Sequence, residues 1–257
     1  MRPKILITND DGILSKGIFA LWEAMEEVGE TYVVAPSSEK SASSHSITLS
    51  EPLRVKFLEQ KNGFKGWSIS GTPVDCVKIA IKTLMKEAPD ILISGINRGA
   101  NLGTNIIYSG TVSAASEGTM LGIPSIAISL ASFENNNYEN ASIYAKKIIM
   151  HILNHGLPVD TLLNVNIPNC DYHKINGIKI TKQGGQRFID EYEERIDPRN
   201  GSYYWIKGQM KNDDNSTDFD GKAIKENFVS ITPINYKLTN ELYLKNLKDL
   251  FSSESSS

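Results

Sequence analysis

Apolar residues in this chain come as short unbroken runs separated by stretches with helical spacing. This is the pattern of strands buried on both faces of a parallel sheet and covered by helices. The first run, at residues 4–7, precedes a segment at 17–28 in which Ile18, Leu21, Trp22, Met25 and Val28 recur at three- and four-residue spacing. A second run at 31–35 stops at Pro36, and the hydroxyl-rich loop 37–44 follows it. Two extended segments, 53–58 and 66–70, flank Lys61-Asn62-Gly63, which reads as the turn of a hairpin. A helix is predicted over 74–85, entered through Gly71-Thr72-Pro73 with Pro at or next to its first position. A third core strand is predicted at 90–94, a long Gly- and Asn-rich loop at 95–110, a helix of small residues at 111–121 and a fourth core strand at 124–129. Strands alternating with helices in this order predict an α/β fold with a doubly wound sheet.

The second half is less periodic. Residues 132–140 read as an Asn-rich surface loop, 141–154 as an amphipathic helix, and 162–167 and 178–181 as strands. From 184 to 225 the chain carries charge, glycine and the cluster Tyr203-Tyr204-Trp205 without a helical period. That predicts a long arm or hairpin outside the core, for which a second subunit is the natural packing surface. A returning strand at 228–232 and a closing helix at 240–251 lead into a Ser-rich tail. The expected organisation is a core at 1–183, an arm at 184–227, and a final strand, helix and frayed tail at 228–257.

Each glycine- or hydroxyl-rich loop of the first half follows the carboxyl end of a predicted strand, the edge at which parallel α/β sheets bind ligands. Asn9-Asp10-Asp11-Gly12 follows the first run. Two adjacent carboxylates in that crevice are costly unless something positive compensates them, and a hard divalent cation with oxygen ligands does so most simply. A plain acidic turn ending in Asp-Gly is the alternative. Octahedral Mg²⁺ or Mn²⁺ requires one or two carboxylates, neutral oxygens, and positions left for water or phosphate. Ser41 in the loop after the second strand and Asn97 in Ser94-Gly95-Ile96-Asn97 are the neutral oxygens on offer. Ser109-Gly110-Thr111 opens a helix and presents backbone N–H groups and hydroxyls to an anion such as phosphate, and Gly71 and Thr72 open another helix on the same edge. Ser43 and His45 share the loop of Ser41. His45 suits a proton donor, a phosphate contact or a turn residue equally well.

Composition narrows the class. A chain of 257 residues with a formal net charge of −3 does not have the basic stripe that duplex DNA or RNA demands. Cys76 and Cys170 stand far apart without metal-binding spacing, which reads as reduced thiols and a cytoplasmic protein. No apolar stretch reaches the ~18 residues of a membrane span, and Met-Arg-Pro-Lys runs straight into the first strand without room for a signal peptide. Gly95, Gly99 and Gly103 miss the dinucleotide-binding spacing, and no phosphate-binding Gly-Lys-Ser or Gly-Lys-Thr occurs. His151 and His155 are four apart on a helix but without the Glu of a zinc protease motif.

Several stretches in order, ILITNDDG (5–12), VVAPSSEKSASSHSIT (33–48), SGTPVDCVKIA (70–80), DILISGINRGANLGTNIIYSGTVSAASEG (90–118), TDFDG (217–221) and SITP (230–233), make the chain resemble the SurE family of 5′/3′-nucleotidases. The resemblance implies a Rossmann-like three-layer sandwich with a mostly parallel sheet and a protruding C-terminal β-hairpin exchanged in a homodimer or homotetramer. Position by position it places the metal ligands on Asp10, Asp11, Ser41 and Asn97, and active-site surroundings on Asn9 and on Ser109, Gly110 and Thr111. It implies one Mg²⁺ or Mn²⁺ per subunit and metal-dependent hydrolysis of nucleoside 5′-monophosphates, with 3′-monophosphates and short polyphosphate as further substrates. In that chemistry Asp10 or Asp11 helps deprotonate a water while Asn97 and the 109–111 loop hold the phosphate. An aspartyl-phosphate mechanism is the rival enzyme reading, although it wants a second acid two residues after the nucleophile, where Gly12 stands. A non-catalytic nucleotide-binding protein is the rival from another class.

Overall fold

The computed structural model describes residues 2–134 and 137–254. The first apolar run is strand β1 (Lys4–Thr8), the amphipathic segment is helix α1 (Lys16–Glu26), and β2 (Glu30–Pro36) follows. The hairpin is β3 (Val55–Glu59) and β4 (Lys65–Ile69). Helix α2 (Pro73–Ile79) starts at a Thr72 cap and widens into a π-type turn at Ala80–Leu84. Then come β5 (Ile91–Arg98), a 3₁₀ segment at Gly103–Tyr108, α3 (Gly110–Met120), β6 (Ser125–Ala131), α4 (Tyr138–His155), β7 (Leu162–Pro168) and β8 (Ile178–Ile180). The chain closes with β9 (Arg187–Ile196), β10 (Ser202–Lys211), α5 (Asp220–Lys225), β11 (Val229–Ile234) and α6 (Glu241–Glu254).

Among the described residues nine strands form one sheet in the order β3-β4-β2-β1-β5-β6-β7-β11-β8. The six strands from β4 to β7 are parallel, β3 and β11 pair antiparallel to β4 and β7, and β8 runs parallel to β11. Side chains of a strand alternate between faces, and the two faces are covered separately. Ile5, Ile7, Val33, Ile91, Ile93 and Ile126 point to the layer of α1 and α4, while Leu6, Val34, Leu92 and Ala127 point to the layer of α2 and α3. The unbroken apolar runs in the sequence follow from this double coverage. The fold is the expected α/β three-layer sandwich on a mostly parallel sheet.

Three segments depart from expectation. The predicted loop 95–110 begins as strand, because β5 continues through Gly95 to Arg98 and rejoins β6 at Asn97–Ser129 after an irregularity that starts at Ser94. Its Gly and Asn residues mimic a loop in sequence, yet the backbone remains in the sheet. Helix α4 begins at Tyr138, inside the predicted surface loop 132–140, with the Asn137 side chain accepting from the Asn140 N–H at its start; positions 135 and 136 of that loop lie outside the described residues. The stretch 184–225 contains the expected hairpin, β9 with β10, but its end forms α5, which packs against β11 and β7.

The seat of α1 on β5 sets how closely that helix approaches the site end of the sheet. A Cβ built on Gly17 would lie 1.9 Å from the Ile96 carbonyl oxygen, so only glycine permits the contact. Gly17→Ala is expected to cost about 1–3 kcal/mol by overpacking, measured by urea unfolding. An unchanged midpoint would mean that α1 does not rest on this carbonyl.

Candidate active site

From β1 the chain builds β2, β3 and β4 outward on one side of the sheet and then returns to β5 on the other side of β1. The order of the sheet therefore reverses between β1 and β5, and beyond the carboxyl ends of those two strands lies the crevice where open α/β sheets bind ligands. Asp10 and Asp11 follow β1 directly, and Asn97 stands at the end of β5. The loop after β2 and the start of α3 close over them, with the Lys40 N–H donating to the Asp10 carbonyl at 2.7 Å.

Asp10 is buried against the first turn of α3. Its carboxylate accepts from the Thr111 hydroxyl at 2.5 Å and from the Thr111 N–H at 3.1 Å, while the Ser109 hydroxyl caps the same helix by accepting from the Val112 N–H at 3.1 Å. The helix end, with its partial positive charge, thus points at the carboxylate. Gly110 permits the approach, since a Cβ there would lie 2.9 Å from the Asp10 Cβ and 2.8 Å from the Ser43 Oγ. Burial nevertheless pushes the Asp10 carboxyl above the usual range, against the opposing pull of the Thr111 hydrogen bonds. Asp11, whose Oδ2 accepts from the Arg98 N–H at 3.0 Å, is pushed up to about 6, first by burial and then, against that hydrogen bond, by the neighbouring Asp10. Neither carboxylate forms an ion pair among the described residues.

Asp10, Ser41, Asn97 and Ser109 line one hollow of about 200 Å³. Asp11 lines an adjoining one, and the two share Arg98 and Phe133. The Asn97 amide nitrogen donates to the Gly99 carbonyl at 2.8 Å, which leaves its oxygen as an acceptor, and Ser41 donates to Glu39 at 2.7 Å. The Ser43 hydroxyl is buried without a hydrogen-bond partner. Two uncompensated carboxylates, a free amide oxygen, a serine hydroxyl and an orphaned buried hydroxyl make an oxygen-only donor set that fits a hard cation such as Mg²⁺ or Mn²⁺. No group of three or more His, Cys, Asp or Glu side chains is placed to hold a metal among the described residues, so the neutral oxygens are essential to such a site.

Other sequence candidates take different places. The Asn9 amide braces its own turn, accepting from the Gly12 N–H at 3.2 Å and donating to the Gly12 carbonyl at 3.1 Å and to Ser15 at 2.7 Å, so it shapes the acidic loop. Thr111 was expected to meet phosphate, but its hydroxyl and its N–H are both taken by Asp10. Gly71 abuts Leu53 and Asp75, and the Thr72 hydroxyl caps α2 and donates to the Ser46 carbonyl at 2.7 Å. These two residues hold the Ser-rich loop and line neither hollow. His45 lies 2.9 Å from Glu117 on α3 and lines neither hollow.

The sequence reading missed the braces. Glu117, 6% exposed, also receives Lys78 at 2.6 Å, and its carboxyl is held below the usual range by the His45 hydrogen bond first and Lys78 with it. Asp75 accepts from the Thr48 N–H and hydroxyl and from the Thr72 N–H, a second tie on the same loop. The spacing Thr72-x-x-Asp75 at a helix start was the legible signal for that one. Asn101 is fixed by Asn166, Asn164 and Ser129 at 2.8–3.0 Å. Asn164 and Asn166 are two apart in β7, so they share one face of the strand, a pattern visible in Leu-Leu-Asn-Val-Asn-Ile.

Glu117→Gln keeps the shape and removes the charge. It is expected to lower stability by about 1–3 kcal/mol at neutral pH. Glu117 has a depressed pKa in the fold, so its contribution is present above its ordinary value of 4.5 and is lost as pH falls through the folded value. The gap between wild type and variant in denaturant titrations should therefore narrow below pH 4.5. A gap that stays constant with pH would mean that the charge on Glu117 is not what holds the loop.

The family model described as Survival protein SurE matches residues 5–190. The 5′-nucleotidase SurE of Thermosipho africanus is 47% identical over 247 residues, covering 96% of this chain and 97% of its own. That of Carboxydothermus hydrogenoformans is 48% identical over 250 residues, covering 95% of each. The crystal structure of the SurE protein from Aquifex aeolicus superimposes with a TM-score of 0.83 at 42% identity, covering 96% of this chain and 99% of that one. The matched span holds the acidic pair, the Ser-rich loop, the end of β5 and the start of α3, and the chain belongs to the SurE family.

Proposed function

We propose that this chain hydrolyses nucleoside 5′-monophosphates with one divalent cation, Mg²⁺ or Mn²⁺, held by Asp10, Asp11, Ser41 and Asn97. The 5′-nucleotidase activity follows from relatives of that name aligned over nearly the whole chain. The observation that carries the metal assignment is the adjacent carboxylate pair at the reversal of sheet order, Asp10 buried and Asp11 half-buried, left without an ion pair. A cation there supplies Lewis acidity toward a phosphoryl oxygen and lowers the pKa of a water. The chain's own groups do the rest. Asp10, fixed by Thr111, and Asp11, fixed by the Arg98 N–H, hold carboxylate oxygens at the position where the proton of the attacking water must be taken. The Asn97 amide and the Ser109 hydroxyl, both on the wall of the smaller hollow, orient the phosphoryl group, and the sheet edge keeps them on rigid elements.

Hairpin β9–β10 supports an assembly of two or four copies, because it stands outside the large sheet with Tyr192, Tyr204, Trp205 and Ile206 exposed. Such a ribbon is marginal alone. Cys76 and Cys170 are free thiols, which supports a cytoplasmic location. No helix among the described residues is long and apolar enough to cross a membrane.

Phosphate release from a panel of nucleoside monophosphates tests the reading, with EDTA and then with Mg²⁺ or Mn²⁺ restored. Activity is expected to vanish with chelator and return with metal, and Asp10→Asn and Asp11→Asn should each lose on the order of 10²-fold or more in kcat. Thr111→Val, which releases the Asp10 carboxylate from its hydroxyl partner, should lose ~10–100-fold in activity or metal affinity. Full turnover in EDTA, or by either Asn variant, would overturn the metal mechanism.

A further inference from the structure

The two hollows at the sheet edge differ in what they offer. The smaller one, with Asp10, Ser41 and Asn97, is the phosphate end. The larger, about 530 Å³, opens beside it between Asp11, Lys16, Glu39 and Tyr138, with Arg98 and Phe133 on the border of both. Its size lies within the range of sites for small organic ligands. An exposed aromatic ring by itself means nothing, but the placement of Phe133 is specific. Phe133 is 75% exposed, yet it is seated, because its ring lies over Gly99 at the site end of β5. A Cβ on Gly99 would come within 2.5 Å of the ring, and the residue has a φ of +109°, so the seat exists only for glycine. The ring is therefore supported by main chain two residues from Asn97 and still largely open to solvent.

We infer that Phe133 is the stacking surface for the base of the substrate, with the nucleoside in the larger hollow and its phosphate in the smaller. This deepens the nucleotidase reading above and rests on it. A ring at the junction meets whatever is attached to the phosphate ester, and every base has a face to stack on such a ring. Stacking of this kind adds affinity without reading hydrogen-bonding edges. The site should thus favour a nucleotide over a bare sugar phosphate while discriminating weakly among bases. Phe133 is a specificity residue in this assignment and takes no part in the bond cleavage.

The test compares AMP with ribose 5-phosphate, which has the same ester and sugar and no base, using the full-length protein with saturating metal. Phe133→Ala is expected to lower the ratio of kcat/KM for AMP over ribose 5-phosphate by roughly 5- to 100-fold. The loss should reside in the KM for AMP. Phe133→Trp should restore the ratio and Phe133→Leu should not, which separates stacking from mere apolar bulk. Because the ring is mostly exposed, the melting temperature serves as the check that all three variants fold. A wild-type protein that cleaves AMP while the Ala variant keeps its ratio overturns the base assignment alone. Equal restoration by Leu and Trp overturns stacking. Phosphate release from neither substrate by the wild-type protein removes the nucleotidase reading and this assignment with it.

Discussion

A carboxylate buried at the start of a helix governs the arrangement of this molecule. Asp10 takes both hydrogen bonds that Thr111 can give, and the positive end of α3 faces it. A helix end is worth about half an elementary charge, whereas Asp10 and Asp11 together carry nearly two when ionised. Hydrogen bonds and dipole therefore leave a substantial negative charge in a poorly solvated crevice, and burial pushes both carboxyls upward. The divalent cation of the proposed function would answer that imbalance without a lysine or arginine, at the same edge to which that proposal assigns the phosphate. The same charge set to rights by a buried Lys would have produced a stable fold and no room for an anionic substrate.

The neutral donors have to come from loops, and loops are imprecise unless braced. Ser41 and Ser43 sit in a segment without regular structure, yet that segment is tied to Asp10 through Lys40, to the 3₁₀ segment through Ser44, to α3 through His45 and Glu117, and to α2 through Thr48 and Asp75. Each tie joins the loop to an element already fixed by the sheet or its covering helices. Asn101 is held in the same way by β6 and β7. Precision at the site is thus distributed over residues that never touch it.

This division explains what could be read from the sequence. Strands buried on both faces announce themselves as unbroken apolar runs, and Ile5-Leu6-Ile7 or Ile91-Leu92-Ile93 needed nothing beyond local composition. Adjacent acids after such a strand are a local signal too, so Asp10 and Asp11 were legible, and the strand-end rule drew Ser41 and Asn97 to the same edge. What was not legible depends on tertiary placement. Glu117 lies seven residues beyond Gly110 and 72 residues from its partner His45, and nothing local marks it as a clamp. Gly95 and Asn97 have loop composition but stay within β5, because after an irregularity at Gly95 and Ile96 the strand pairs again with β6 from Asn97. Thr111 reads in the sequence as presenting its hydroxyl and N–H to an anion such as phosphate, since the depth to which Asp10 approaches the helix is set by Gly110 and is invisible until the strand and helix are packed.

The arm is connected to this chemistry more directly than its exposed position suggests. The 3₁₀ segment Gly103–Tyr108 contributes Asn105 and Tyr108 to the wall of the smaller hollow. The same segment is bonded to the base of the hairpin: Thr104 donates to the Gln186 carbonyl, Gln183 donates to the Gly103 carbonyl, and Asp220 accepts from the Gly103 and Gly184 N–H groups. Asp220 is buried and its carboxyl is pushed upward by that burial even with these N–H partners, so the junction is held by hydrogen bonds that water does not share. The hairpin therefore has its root in the hydrogen bonds that position the wall of the site. The hairpin and the geometry of the site are joined here by a short and continuous set of contacts, so a long exposed ribbon that contributes nothing to the core is still tied to the wall of the site.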